Sequence, residues 1–167
     1  MPDPVSALAL AACLSQQPAW LVGRPRARMI ARSCVSAGPP RNVSPVLLGA
    51  VVLAETGGKN TTYPERAGGC SVSPFQIYAP RCLVRRVVPL KTRPFILAAR
   101  EAARILALGR RVCARLGNRI WYCRTGRWYC RYNPGSYNWC RVVTRNLATL
   151  KRCLHARQYK RIARSRP

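Results

Sequence analysis

The sequence predicts a mainly helical single domain with long loops, stapled by disulfides. Three observations carry this reading. Residues 46–54 are all apolar or small, between a Ser44-Pro45 start and a Gly57-Gly58 stop, the pattern of a helix buried on every side. Residues 95–108, bounded by Pro94 and Gly109, form a second clear helix. Nine cysteines occur without a single C-x-x-C pair, which fits disulfides formed in an oxidising compartment.

Taken in chain order, residues 5–13 are a short apolar run ending in Leu10-Ala11-Ala12-Cys13. That ending resembles the lipobox at which bacterial lipoproteins are cleaved and acylated, and removing or lipidating Cys13 leaves an even number of cysteines. The run is too short to span a membrane, and a simple buried helix is the other reading. Residues 1–25 are therefore set apart as an N-terminal segment, 26–156 as the folded domain and 157–167 as a basic, frayed tail. A short helix is expected over 26–35, with Met29, Ile30 and Cys34 or Val35 on its apolar side. Residues 59–80, rich in Gly, Thr, Ser and Pro, read as loop. Aromatic residues crowd 118–139, and a last helix is expected over 142–155.

The charge is extreme. Thirty Lys and Arg face four acids, for a formal net charge of +26, a field that favours polyanions, anionic lipid surfaces or acidic cell-wall polymers. Half the chain is apolar (49%), so it has the means to build a core and is no disordered basic tail. Cys123, Cys130, Cys140 and Cys153 match no common zinc spacing, and His155 is the only histidine. The expectation is accordingly no metal and no cofactor.

Glu55 is the residue with a chemical signature. It is one of four acids and it closes the most apolar helix in the chain. Burial disfavours a carboxylate, and the last carbonyls of a helix add partial negative charge beside it. Both raise the pKa toward the range a general acid needs near neutral pH.

Three segments in order resemble the lytic transglycosylases of the lysozyme-like superfamily. That family ends its catalytic helix in Glu-Ser after an apolar run; this chain has Leu53-Ala54-Glu55-Thr56-Gly57-Gly58. The family then lines its cleft with Gly-Leu-Met-Gln-Ile, where this chain has Ser73-Pro74-Phe75-Gln76-Ile77. A later Ala-Tyr-Asn-Ala-Gly corresponds to Arg131-Tyr132-Asn133-Pro134-Gly135. The departures are Thr56 for Ser, Ser73 for Gly and Pro134 for Ala. The resemblance implies a lysozyme-like α+β fold and cleavage of peptidoglycan glycan strands with formation of 1,6-anhydro-muramoyl ends. It implies Glu55 as acid/base, Tyr132 hydrogen-bonded to Glu55, Gln76 and Asn133 holding substrate, and Thr56 and Ser73 supporting the loop around the acid. Tyr78 and Trp128 are candidate stackers in the same cleft.

The scarcity of acids agrees with that chemistry, because a hydrolase normally needs two carboxylates and a transglycosylase one. Glu65 as a second carboxylate keeps lysozyme-type hydrolysis open. A non-catalytic binder of nucleic acid or cell wall is the remaining alternative, resting on the Arg and aromatic residues interleaved over 124–132. The expected partners are peptidoglycan strands and anionic wall polymers or a membrane surface, with no specific nucleic acid. The expected state is a monomer, secreted, periplasmic or attached to the cell envelope.

Overall fold

The computed structural model describes residues 5–59, 62–64, 70–79 and 95–164. Asp3, Glu65 and Cys82, and the side chains of Cys70 and Tyr78, lie outside the described residues. The chain is mainly helical: α1 (Ala7–Leu14), α2 (Arg24–Ala37), α3 (Pro45–Glu55), α4 (Ile96–Leu116), α5 (Trp121–Arg124) and α6 (Tyr137–Arg164). Short 3-10 turns at Pro39–Arg41, Gly117–Arg119 and Trp128–Tyr132 join them.

Helix α3 is the hub. Ser44 caps it by accepting from the Val46 N–H at 3.2 Å, and Pro45 occupies its first turn, where a missing N–H costs nothing. Val46, Leu47, Leu48, Gly49, Ala50, Val51, Val52 and Leu53 are all buried. A helix apolar all round needs neighbours on every side, and α6, α2 and α1 supply them. It ends where Gly57 and Gly58 take φ values of +59° and +89°, a left-handed backbone that glycine reaches without a Cβ penalty.

Helix α1 packs on α2, α3 and α6, with Leu10, Cys13 and Leu14 fully buried. Cys13 is bonded to Cys153 of α6, with Cα atoms 5.8 Å apart. This corrects the expectation of lipidation: the Cys13 sulfur is committed to a disulfide, and the apolar run is a core helix. Two further disulfides among the described residues join Cys113 to Cys123 and Cys130 to Cys140, as the expectation of disulfides requires. Cys123, Cys130, Cys140 and Cys153 are all occupied in this way. Cys34 is a free, buried thiol, and burial pushes its pKa far up, which leaves it an unreactive core residue.

Several boundaries differ from the sequence reading. Helix α2 runs past residue 35 to Ala37, burying Ala27, Ile30, Ala31, Cys34 and Ala37. Helix α4 continues through Gly109 to Leu116. That glycine is not a stop but a point of close approach, since a Cβ there would lie 2.5 Å from the Trp128 carbonyl oxygen. The alanines Ala98, Ala99, Ala102, Ala103 and Ala107 give α4 a flat buried stripe, against which α2 and the 128–132 turn pack closely. Helix α6 starts at Tyr137, where Ser136 Oγ accepts from the Trp139 N–H at 3.1 Å, and reaches Arg164. No Gly or Pro stands between Gly135 and Arg164, and residues such as Arg, Lys, Ala and Gln favour helix there. The expected frayed tail is therefore helical as far as Arg164.

The stretch read as loop holds a small antiparallel sheet in the order β1 (Thr62–Pro64), β2 (Cys70–Val72), β3 (Ile77–Ala79). Thr62 pairs with Val72, and Val72 in turn with Ile77. The strands are three residues each, too short for a period-two pattern to show in the sequence. Their main consequence is the tight turn 73–76 between β2 and β3, which the sheet carries to the end of α3.

Candidate active site

The site is assembled from the end of α3, the turn 73–76, the 3-10 turn Trp128–Tyr132 and the first turn of α6. Thr56 caps the end of α3, and its hydroxyl donates to the Pro74 carbonyl at 3.1 Å in a buried contact. Ser73 and Gln76 sit at φ +74° and +49°, a left-handed region that costs energy for residues with a side chain. Two local side-chain bonds hold this conformation: Ser73 Oγ accepts from the Phe75 N–H at 3.2 Å, and Gln76 Nε2 donates to the Ser73 carbonyl at 2.8 Å. Phe75, fully buried, anchors the turn in the core.

Glu55 lies part-buried at the helix end, and the indole N–H of Trp139 donates to its Oε1 at 2.7 Å. Trp139 is buried, and its ring lies in an offset parallel stack with Tyr132, with centroids 5.5 Å apart and planes 4° from parallel. The Cys130–Cys140 disulfide ties the turn carrying Tyr132 to the helix carrying Trp139. The Tyr132 hydroxyl donates to the Phe75 carbonyl at 2.6 Å, which corrects the expected Tyr132–Glu55 bond. Tyr132 fastens the turn, and Trp139 is the residue that reaches the acid. Burial, with the Glu55 charge nearby, raises the Tyr132 pKa well above its usual range and keeps it a neutral donor.

Burial lifts the Glu55 carboxyl from its ordinary 4.5 to about 7, and the Trp139 hydrogen bond holds it lower than burial alone would. The position at a helix C-terminus acts in the same direction as burial. Despite the +26 charge, no cation pairs with Glu55 among the described residues; the ion pair seen there is the exposed Glu101–Arg104 contact. A carboxyl with a raised pKa favours the folded state while protonated. Its stabilising contribution is complete below pH 4.5 and is lost as pH rises to about 7. The arrangement keeps a substantial share of Glu55 protonated near neutral pH, with an N–H aimed at the carboxylate that forms when the proton leaves.

The other expected site residues fall into two groups. Thr56 (8% exposed) and Ser73 (1% exposed) direct their hydroxyls into the protein, so they shape the turn rather than touch a ligand. Asn133 is exposed beside Tyr132, and its carbonyl accepts from the Ser136 N–H at 3.2 Å. Trp128 stacks edge-on with Tyr129 and lies under the Arg110 guanidinium at 5.6 Å. Both contacts seat it against α4 and its own turn. Trp139 was not singled out by its sequence context. Its only signal is its place one helical turn inside the segment that follows Tyr132-Asn133-Pro134-Gly135. Comparison with known protein families, curated proteins and solved structures returned no match.

Proposed function

We propose that the chain cleaves bacterial peptidoglycan glycan strands between N-acetylmuramic acid and N-acetylglucosamine, as a lytic transglycosylase with Glu55 as its one acid/base. The observation that carries this reading is a part-buried carboxyl with a pKa of about 7 and no cationic partner among the described residues, at the end of an apolar helix. In the proposed reaction, Glu55 donates its proton to the glycosidic oxygen as the bond to C1 breaks. The substrate's N-acetyl oxygen supports C1. The Glu55 carboxylate then takes the proton of the sugar's 6-hydroxyl as that oxygen closes on C1, giving the 1,6-anhydro product and restoring the acid. No second carboxylate is required, in contrast to ordinary glycoside hydrolysis. Trp139 is a positioning residue: its N–H stabilises the carboxylate present between the two proton transfers. The disulfides are compatible with an extracellular setting, and no helix among the described residues is long and apolar enough to cross a membrane. We place the protein outside the cytoplasm, at the cell envelope, where its positive field gathers it on anionic polymers.

The pH dependence follows from the acid. Turnover at saturating substrate should hold below pH 7 and decline on the alkaline side, because the reaction starts from protonated Glu55 with its pKa of about 7. Trp139→Phe removes a hydrogen bond that favours the carboxylate. The alkaline limb should therefore move to higher pH in that variant, with a lower plateau. Release of soluble glycan across a pH series measures both. A limb unmoved by Trp139→Phe contradicts the role given to the indole.

A further inference from the structure

Helices α1, α2 and α6 enclose a groove of about 310 Å³ that takes no residue from the Glu55 site. One wall is apolar, made by Leu8, Ala11 and Ala12 of α1, and Ser15 and Gln16 add polar lining. The other side is lined by three arginines, Arg24 and Arg28 from α2 and Arg157 from α6. No carboxylate lines it among the described residues.

This placement is unfavourable without an anion. Arg24 and Arg28 are four residues apart on one helix face, where like charges repel. Arg24 also stands in the first turn of α2, whose N-cap Gly23 has no side chain to receive the free N–H groups, so the helix end adds to the positive potential. Arg157 lies one turn beyond Cys153, and the bond from Cys153 to Cys13 pins that stretch of α6 against α1. The third arginine is thereby kept at the same groove. Arginine's planar fork suits phosphate and carboxylate alike, but three cations lining one groove call for more than the single charge of a carboxylate. The volume lies at the small end for small-molecule sites, too small for a duplex or a peptide helix. Leu8, 67% exposed at the rim, offers an apolar contact for whatever bears the phosphate.

We propose that this groove binds a phosphate monoester, its phosphate between Arg24, Arg28 and Arg157 and its organic part along Leu8, Ala11 and Ala12. The source is either a soluble ester or the headgroup of a phosphatidic acid-containing membrane. The probes are sn-glycerol 3-phosphate by isothermal titration calorimetry and phosphatidylcholine vesicles with and without phosphatidic acid by sedimentation. Both are used at about 0.15 M salt to damp long-range attraction. Wild-type protein is compared with Arg24→Gln/Arg28→Gln/Arg157→Gln and with a charge-matched control, Arg111→Gln/Arg115→Gln/Arg119→Gln, whose sites are exposed on α4 and the turn after it. All six positions are solvent-facing or partly so, and circular dichroism verifies that both variants keep the wild-type fold. The groove variant should lose about tenfold or more in affinity for at least one probe, with a loss of no more than about twofold in the control. Selective loss with the soluble ester identifies a free ligand, and selective loss with vesicles alone identifies a lipid headgroup. Equal losses in the two variants, or wild-type binding to neither probe, overturns the assignment.

Discussion

Replacing Glu55 by Gln should lower peptidoglycan cleavage by about 10²–10⁴-fold, the usual contribution of a positioned general acid. Gln keeps the size of the side chain and its oxygen, so the Trp139 N–H retains an acceptor at the place where it now meets Oε1. What the amide lacks is the proton to give and the basic oxygen to take one back. The fold should be unharmed and, at alkaline pH, somewhat more stable, since an ionised Glu55 is the form that burial opposes. Thermal unfolding monitored beside the activity assay separates lost chemistry from lost structure. Turnover close to wild type in Glu55→Gln removes the residue from the mechanism.

The second large effect is on stability. The Cys13–Cys153 bond spans 140 positions, and Cys113–Cys123 spans 10. By chain entropy alone the first should stabilise by about 5 kcal/mol and the second by about 3 kcal/mol. Packing points the same way, because Cys13 lies on α1, whose Leu10 and Leu14 approach Gly49 of the central helix. Cys13→Ser/Cys153→Ser should therefore show the larger fall in the denaturant midpoint, and Cys113→Ser/Cys123→Ser the smaller. The reverse order, or no change on losing Cys13 and Cys153, contradicts the place of α1 in the core.

Much of the helical frame is legible in the residues because local chemistry and burial agree there. Ser44-Pro45, the apolar run after it and Gly57-Gly58 define α3 at both ends. Gly109 misleads for a physical reason: a glycine that permits close packing looks the same in a sequence as one that ends a helix. The short strands around the 73–76 turn escape a pattern search, as does the reach of α6 in both directions. Cys13 shows a limit of another kind. An apolar run ending in cysteine suits both a processed leader and a core helix, and only the distant partner Cys153 decides between them.

The site was partly legible in the same way. Glu55 announces itself by its position at the end of a buried helix. The contacts that organise its surroundings are long-range: Thr56 to Pro74, Tyr132 to Phe75 and Trp139 to Glu55. Tyr132 was expected on the acid and instead holds the turn beside it, while the indole stacked on its ring takes the hydrogen bond. Such exchanges between neighbouring aromatic side chains depend on where the Cys130–Cys140 link sets the two backbones, which no local pattern encodes.

In the proposed reaction Glu55 alone drives glycan cleavage, by intramolecular attack. Mass spectrometry of soluble fragments from purified peptidoglycan, digested by the wild-type protein and by Glu55→Gln, tests it most directly. Muropeptides ending in 1,6-anhydro-N-acetylmuramic acid are expected from the wild type and none from the variant. Fragments carrying reducing muramoyl ends, or the absence of soluble fragments from the wild type, would contradict it.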